Sequence, residues 1–161
     1  VKDFEPLYIQ RIAQLTNKSN QFNLTTLRCS EDDIRAMAGD ENDLCLCGKL
    51  VDKFGDNGIV TVVAGRQQGD VLDLTLWLMS CRVLKRGMED AMMDTVVAEA
   101  AARGVKTIVG HYYPTAKNAM VREFYAQYDF AKTAEDADGN TEWTLDVAAY
   151  TPKHPHMKIE R

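Results

Sequence analysis

The stretch SCRVLKRGMEDAMM, residues 80–93, runs from an apolar segment through a basic turn into a helical pattern. Arg82, Val83, Lys85, Arg86 and Gly87 form the kind of turn that presents backbone N–H groups and positive charge to a phosphate at the start of a helix. Glu89 opposes that reading. A carboxylate about 4 Å from a phosphate costs roughly 1 kcal/mol in water and about 4 kcal/mol at intermediate dielectric, which is about one to three decades of affinity. The plainer reading of Glu89 is an acid that favours the dipole of the helix's first turn and leaves no room for a second anion.

Three further residues have useful chemistry. Cys81 closes the apolar run before the turn, where Arg82 and a helix N-terminus would lower its pKa and make it a nucleophile; its alternative is a small buried strand residue. His111 ends the next predicted strand and is placed to act as a base where strands part, or to face solvent as an ordinary polar residue. Tyr125 belongs to a stripe with Val121, Phe124 and Tyr128, spaced i, i+3, i+4, i+7, which packs a helix on a sheet without any chemistry. His154 and His156 sit in a proline-bearing tail, and the four cysteines form no C-x-x-C pair. No metal site is expected, and Cys29, Cys45, Cys47 and Cys81 read as reduced thiols.

The elements that position these residues follow from the pattern. At 161 residues the chain fits one domain, 1–161, able to hide about 70% of its unfolded surface. A net charge of -5 argues against nucleic acid or an anionic membrane as partner. The lack of a long apolar run or a signal-peptide pattern predicts a cytoplasmic protein, so the glycosylation matches at Asn17 and Asn23 carry no weight. EPLYIQRIAQLT reads as a helix with Leu7, Ile9, Ile12 and Leu15 on one side, LTTLRC as a strand, and SEDDIRAMAG as a short helix capped by Ser30 and closed at Gly39. The runs LCLCGKLVDKF, GIVTVVAGRQ and VLDLTLWLMSCRV, separated by GDNG and QQGD, read as an antiparallel meander whose third strand is covered on both faces. A helix stopped at Gly104, a strand VKTIVGHYY, a second amphipathic helix TAKNAMVREFYAQYDF and a hairpin turning at DADGN complete the order. The expectation is an α+β domain whose mixed sheet leads from a meander into a βαβ unit and a C-terminal hairpin.

With that order, NAMVREFYAQYDF resembles the Gcn5-related N-acetyltransferases (GNAT), whose corresponding helix reads N-x-x-A-x-x-F/L-Y-x-x-x-G-F. Asn118, Phe124, Tyr125 and Phe130 fall on the pattern, with Val121 at the alanine and Asp129 at the glycine position. The resemblance implies the GNAT fold, a general-acid role for Tyr125 toward a departing thiolate, and contact between Asn118 and the cofactor's arm. It also makes the basic turn the counterpart of Q/R-x-x-G-x-G/A, which wraps the pyrophosphate of coenzyme A. Here Gly87 keeps the first glycine, while Leu84 and Glu89 depart from the pattern, so coenzyme A is a doubtful ligand.

A closer resemblance covers RIAQLTNKSNQFNLTTLRCSEDDI, DKFGDNGIV, WLMSCRVLKRGMEDA and PTAKNAMVREFY, which look like the C-terminal domain of FkbH-like proteins. Members join a haloacid-dehalogenase-type phosphatase domain (HAD, subclass IIIC) to a GNAT-like domain. They are associated with loading a glyceryl unit from 1,3-bisphosphoglycerate onto the phosphopantetheine of an acyl carrier protein, for methoxymalonyl extender units in polyketide pathways. The resemblance implies a phosphopantetheine thioester as ligand and the carrier protein as partner. Because the chain begins at Val1 and has no D-x-D-x-T motif, it is expected to be a domain from a longer protein whose N-terminal HAD-type domain is a further partner. A carrier delivers its arm on one serine phosphate without the adenosine pyrophosphate, which suits a turn with one anion site. Docking of an acidic carrier would use Lys85 and Arg86. Two alternatives stay open: a docking module without catalysis, and an ordinary N-acetyltransferase that uses acetyl-CoA.

Overall fold

The computed structural model describes residues 1–52, 55–80 and 87–153, without the side chains of 52 and 55–57. Seven strands form one mixed sheet: β1 (Lys2–Asp3), β2 (Asp43–Asp52), β3 (Gly55–Gln68), β4 (Val71–Met79), β5 (Thr107–Tyr112), β6 (Ala131–Glu135) and β7 (Thr141–Asp146). Their spatial order is β1-β2-β3-β4-β5-β7-β6. All neighbours are antiparallel except β4 and β5, which pair in parallel across the crossover helix α3 (Met88–Ala102). The meander, the βαβ unit and the C-terminal hairpin expected from the pattern are all present. No helix among the described residues is long and apolar enough to cross a membrane.

Two cores flank the sheet. On one face α1 (Ile9–Lys18) and α2 (Glu31–Gly39) bury Ile12, Leu15 and Ile34 against Val62, Leu76 and Leu78. On the other, Met92, Val96 and Ala100 of α3 pack with Leu72, Leu74, Trp77 and the aromatic rings of residues 124–130. Strand β4 serves both cores, which is why its sequence is apolar almost throughout. It changes phase on the way. Ala64 pairs with Leu76 and Gly65 with Leu74, so Thr75 is an extra residue in β4, a bulge that places Leu74 and Trp77 on the same face.

Local signals hold at the ends of the helices. Ser30 caps α2 in a reciprocal box with Asp33: its Oγ accepts the Asp33 amide at 3.1 Å, and Asp33 accepts the Ser30 amide at 2.9 Å. Gly87 begins α3 at φ 85° and Gly104 ends it at φ 78°, both in the left-handed region that glycine enters without a Cβ clash. The terminal hairpin turns where expected, with Asp136 Oδ1 accepting the amides of Asp138 and Asn140.

Three expectations need correction. Leu7 lies in a 3-10 turn, Pro6–Tyr8, and is 81% exposed, so the buried stripe of α1 starts at Ile9. LTTLRC is not a strand. Only Asn23, just before it, makes a bridge, to Leu78, and Thr26 turns away at φ 55°. Arg28 then binds carbonyls at the end of α1, those of Thr16 and Ser19, which holds the segment against the helix rather than a sheet edge. The second amphipathic helix is instead a pair of 3-10 turns, Ala119–Val121 and Tyr125–Tyr128. Val121, Phe124, Tyr125 and Tyr128 are nonetheless all buried. Their spacing encodes which side faces the sheet, and tighter i→i+3 winding, which stacks Val121 over Phe124 and Tyr125 over Tyr128, satisfies it too.

Candidate functional site

The site lies where β4 and β5 part. Their parallel pairing covers only Val71–Thr107, Leu72–Ile108 and Asp73–Val109. Beyond it β4 keeps its partner β3 as far as Met79, and β5 keeps β7 as far as Tyr112. A wedge opens between them, and the Thr75 bulge begins at its apex.

Residues 22–24 cross this wedge. The Leu24 amide donates to the Trp77 carbonyl at 3.0 Å, and the Met79 amide donates to the Phe22 carbonyl at 3.0 Å. On the other side the Tyr113 amide donates to the Leu24 carbonyl at 2.8 Å. Phe22 and Leu24 send their side chains into the α3-side core, where Phe22 meets Phe124 edge-to-face at 5.2 Å. Trp77, Tyr125, Tyr128 and Phe130 continue this aromatic cluster.

Asn118 fastens the arrangement. Its Nδ2 donates to the carbonyls of Asn23 (3.0 Å) and Tyr113 (2.9 Å), and its Oδ1 accepts from the Thr115 amide (2.7 Å) and the Tyr112 hydroxyl (3.3 Å). The side chain is fully buried, and both donors and both acceptor positions are in use.

Tyr125 is 2% exposed and lies over Gly110 of β5, where a Cβ would come within 2.5 Å of its Cζ. Only glycine allows the ring this close to the strand. Burial, and then the negative charge of Asp73, push its pKa well above the ordinary phenol value. The hydroxyl therefore keeps its proton at any working pH.

His111 stands on the opposite face of β5 from Gly110, since Ile108 and Tyr112 face the α3-side core. Its Nε2 is 2.6 Å from Oδ1 of Asp73, on the neighbouring strand. Sequence reasoning reached His111 but missed Asp73. The two are 38 positions apart, and only the β4–β5 register brings them together. Residues 22–24 were also missed. Asn23 matched a glycosylation pattern, yet it is fully buried and its Oδ1 accepts the Thr26 amide at 2.9 Å.

Cys81, Arg82, Val83, Lys85 and Arg86 lie outside the described residues, as do His154 and His156. Gly87 opens α3, followed by Glu89 and Asp90 in the first turn and Asp94 in the second. Asp90 accepts from the Tyr128 hydroxyl at 2.7 Å and Asp94 from the Tyr150 hydroxyl at 2.5 Å. Burial raises the Tyr128 pKa, and Asp90, Glu89 and Asp94 raise it further, so all three acids act on the same space. Asp129, at the motif's glycine position, adopts φ 71°, which explains why the pattern calls for glycine there.

Residues 22–24 thus fill the wedge, their carbonyls bound by the amides of Met79 and Tyr113 and by the Asn118 Nδ2.

No family profile and no curated protein matches the chain in sequence. Solved structures match it in fold. The ribosomal-protein-S18-alanine N-acetyltransferase of Escherichia coli superposes with a TM-score of 0.67 at 15% identity, covering 91% of this chain and 92% of that one. The GNAT domain of S. lividans PAT gives 0.68 at 15% identity over 90% and 88%. Spermidine N-acetyltransferase from Vibrio cholerae, solved with coenzyme A and spermine, gives 0.67 at 9% identity over 91% and 94%. The chain has the GNAT acyltransferase fold.

Proposed function

We propose that the chain acts on acyl or glyceryl groups carried as thioesters on the phosphopantetheine of an acyl carrier protein, as the GNAT-like domain of an FkbH-type protein. The observation that carries this reading is the acidic start of α3. Glu89 and Asp90 stand in the first turn of α3, next to where a GNAT turn would hold a pyrophosphate, which weighs against free coenzyme A. A carrier-borne arm brings one phosphate and needs less from that turn. In this reading Lys85 and Arg86 meet the carrier's acidic surface, and an N-terminal HAD-type domain supplies the glyceryl unit.

In this reading Tyr125 is the proton donor to a departing sulfur; burial keeps its phenol protonated but also makes it a weaker acid, so the role rests on its place in the motif and beside β5. His111, held by Asp73, is the base on the other face of the sheet. Cys81 remains a candidate nucleophile by its place after β4.

An ordinary acetyl-CoA-dependent N-acetyltransferase is the second reading, and the N-acetyltransferases among the structural neighbours favour it. Calorimetry with holo-carrier protein and with acetyl-CoA separates the two. Binding of the carrier is expected, with acetyl-CoA gaining at least tenfold in the Glu89→Gly variant. Micromolar acetyl-CoA binding by the unmodified domain, with none of the carrier, would overturn the proposal.

A further inference from the structure

We infer that residues 22–24 are an internal stand-in for the acyl carrier's arm, a strap that a pantetheine thioester must displace from the β4–β5 wedge. The inference rests on the acyl-thioester reading above and adds how that site is opened.

The argument starts from the groups the strap satisfies. In the wedge, the amides of Met79 and Tyr113 and Nδ2 of Asn118 each need an acceptor, and the Trp77 carbonyl needs a donor. The strap answers with three successive carbonyls, those of Phe22, Asn23 and Leu24, and with the Leu24 amide. Buried as they are, these groups cannot be left unpaired at small cost. Whatever replaces the strap has to be extended, peptide-like and rich in carbonyls. Phosphopantetheine is an extended chain carrying a pair of amides, and its thioester adds a further carbonyl. It offers the same inventory of acceptors and donors in a linear order.

The strap's backbone hold on β4 is short, although Phe22 and Leu24 are buried in the α3-side core and their burial is the cost of withdrawal. The strap makes one isolated bridge with β4 rather than a ladder. Next to it Thr26, a β-branched residue, is held at φ 55°, a conformation of appreciable strain. That strain is released if the Asn23 side chain lets go of the Thr26 amide. Withdrawal of the strap would uncover the space between Tyr125 on one face and the Asp73–His111 pair on the other, so the same movement that admits the arm brings these groups into reach of it.

Asn23 and Leu78 face each other in the bridge, and the bonds from Leu24 to Trp77 and from Met79 to Phe22 make them a non-hydrogen-bonded pair. Such pairs approach closely enough for a disulfide. The test uses the whole chain carrying Asn23→Cys and Leu78→Cys, with S-acetyl-4′-phosphopantetheine as probe. Binding is expected to fall at least tenfold when the pair is oxidised and to return on reduction. In the unmodified protein, saturating probe is expected to speed hydrogen exchange at the Leu24 amide at least tenfold while the Met79 amide, with a new acceptor, stays protected. Equal binding by the oxidised and reduced forms, or an unchanged Leu24 amide at saturation, overturns the strap inference and leaves the thioester reading intact. No binding by the unmodified protein or by either form of the variant overturns both.

Discussion

Strand β4 has two edges, and they are satisfied in different ways. Toward β3 it forms a ladder from Gln68–Val71 to Thr61–Met79, interrupted only by the bulge at Thr75. Toward β5 it pairs at three positions and then depends on residues 22–24 and the Asn118 side chain. The first edge is made by a hairpin with a tight turn at Gly69, so its bonds close short loops. The second joins β4 to residues 36 positions on in β5 and to residues 22–24 more than fifty positions back, through a few bonds, and each closes a long loop at greater entropic cost. The ladder edge is therefore the permanent one, and the wedge edge is where local opening is to be found.

The largest expected effect tests that contrast directly. Asn118→Ala removes a buried side chain that serves four partners, and should destabilise the fold by roughly 3–5 kcal/mol in urea denaturation. Thr61→Val on the ladder edge removes one buried bond, from its hydroxyl to the Leu78 carbonyl, and should cost about 1 kcal/mol. Similar losses in the two variants would mean that the edges are equivalent after all.

Next in size is Gly110→Ala. A methyl group there would meet the Tyr125 ring at 2.5 Å, and overpacking of this kind costs about 1–3 kcal/mol. Thermal melting reads the loss, and the second variant Gly110→Ala/Tyr125→Leu should recover part of it.

Alkaline titration compares the two regions by their acids. Burial, followed by the charge of Asp43, pushes the Cys45 thiol in the meander up to about 12 from 9.0. Its folded pKa lies above its unfolded value, so its contribution to stability is complete below pH 9 and is lost as pH rises toward 12, by about 1.4 kcal/mol per pH unit. Cys45→Ala should flatten that part of the stability profile. On the α3 side of the sheet, Tyr125, Tyr128 and Tyr150 are also shifted upward by burial, so absorbance should show them ionising above the ordinary phenol range, as the protein unfolds. Ionisation of all three in the folded protein near pH 10 would show that the α3-side core around them is wet.

The smallest expected effect is at the pair on the outer face. Asp73 is half exposed, so Asp73→Asn should change stability by less than about 1 kcal/mol. If turnover of a thioester is measured, the same variant should lower kcat severalfold, because the His111 ring loses the carboxylate that holds it.

The residues themselves show how far the pattern could be read. The meander, α3 between Gly87 and Gly104, the Ser30 cap and the terminal hairpin were legible because each is written in neighbouring residues: alternation, a capping side chain, a glycine at a left-handed position. The inward face of Val121, Phe124, Tyr125 and Tyr128 was legible for the same reason, although the hydrogen-bond winding behind it was not. LTTLRC shows the limit. Its β-branched residues favour a strand, but a strand needs an edge, and the edge available to this chain accepts only Asn23 before Thr26 turns away.

The sequence by itself determined the fold class and offered Tyr125, His111 and Asn118 as candidate site residues. Tertiary structure alone decided that Asp73 meets His111, that Gly110 exists to admit Tyr125, that Asn118 is spent on backbone groups, and that residues 22–24 lie in the wedge. The physical reason is range. Propensity and spacing act over a few residues, whereas each of these contacts depends on the register of distant strands, which is fixed only when the whole sheet closes on its two cores.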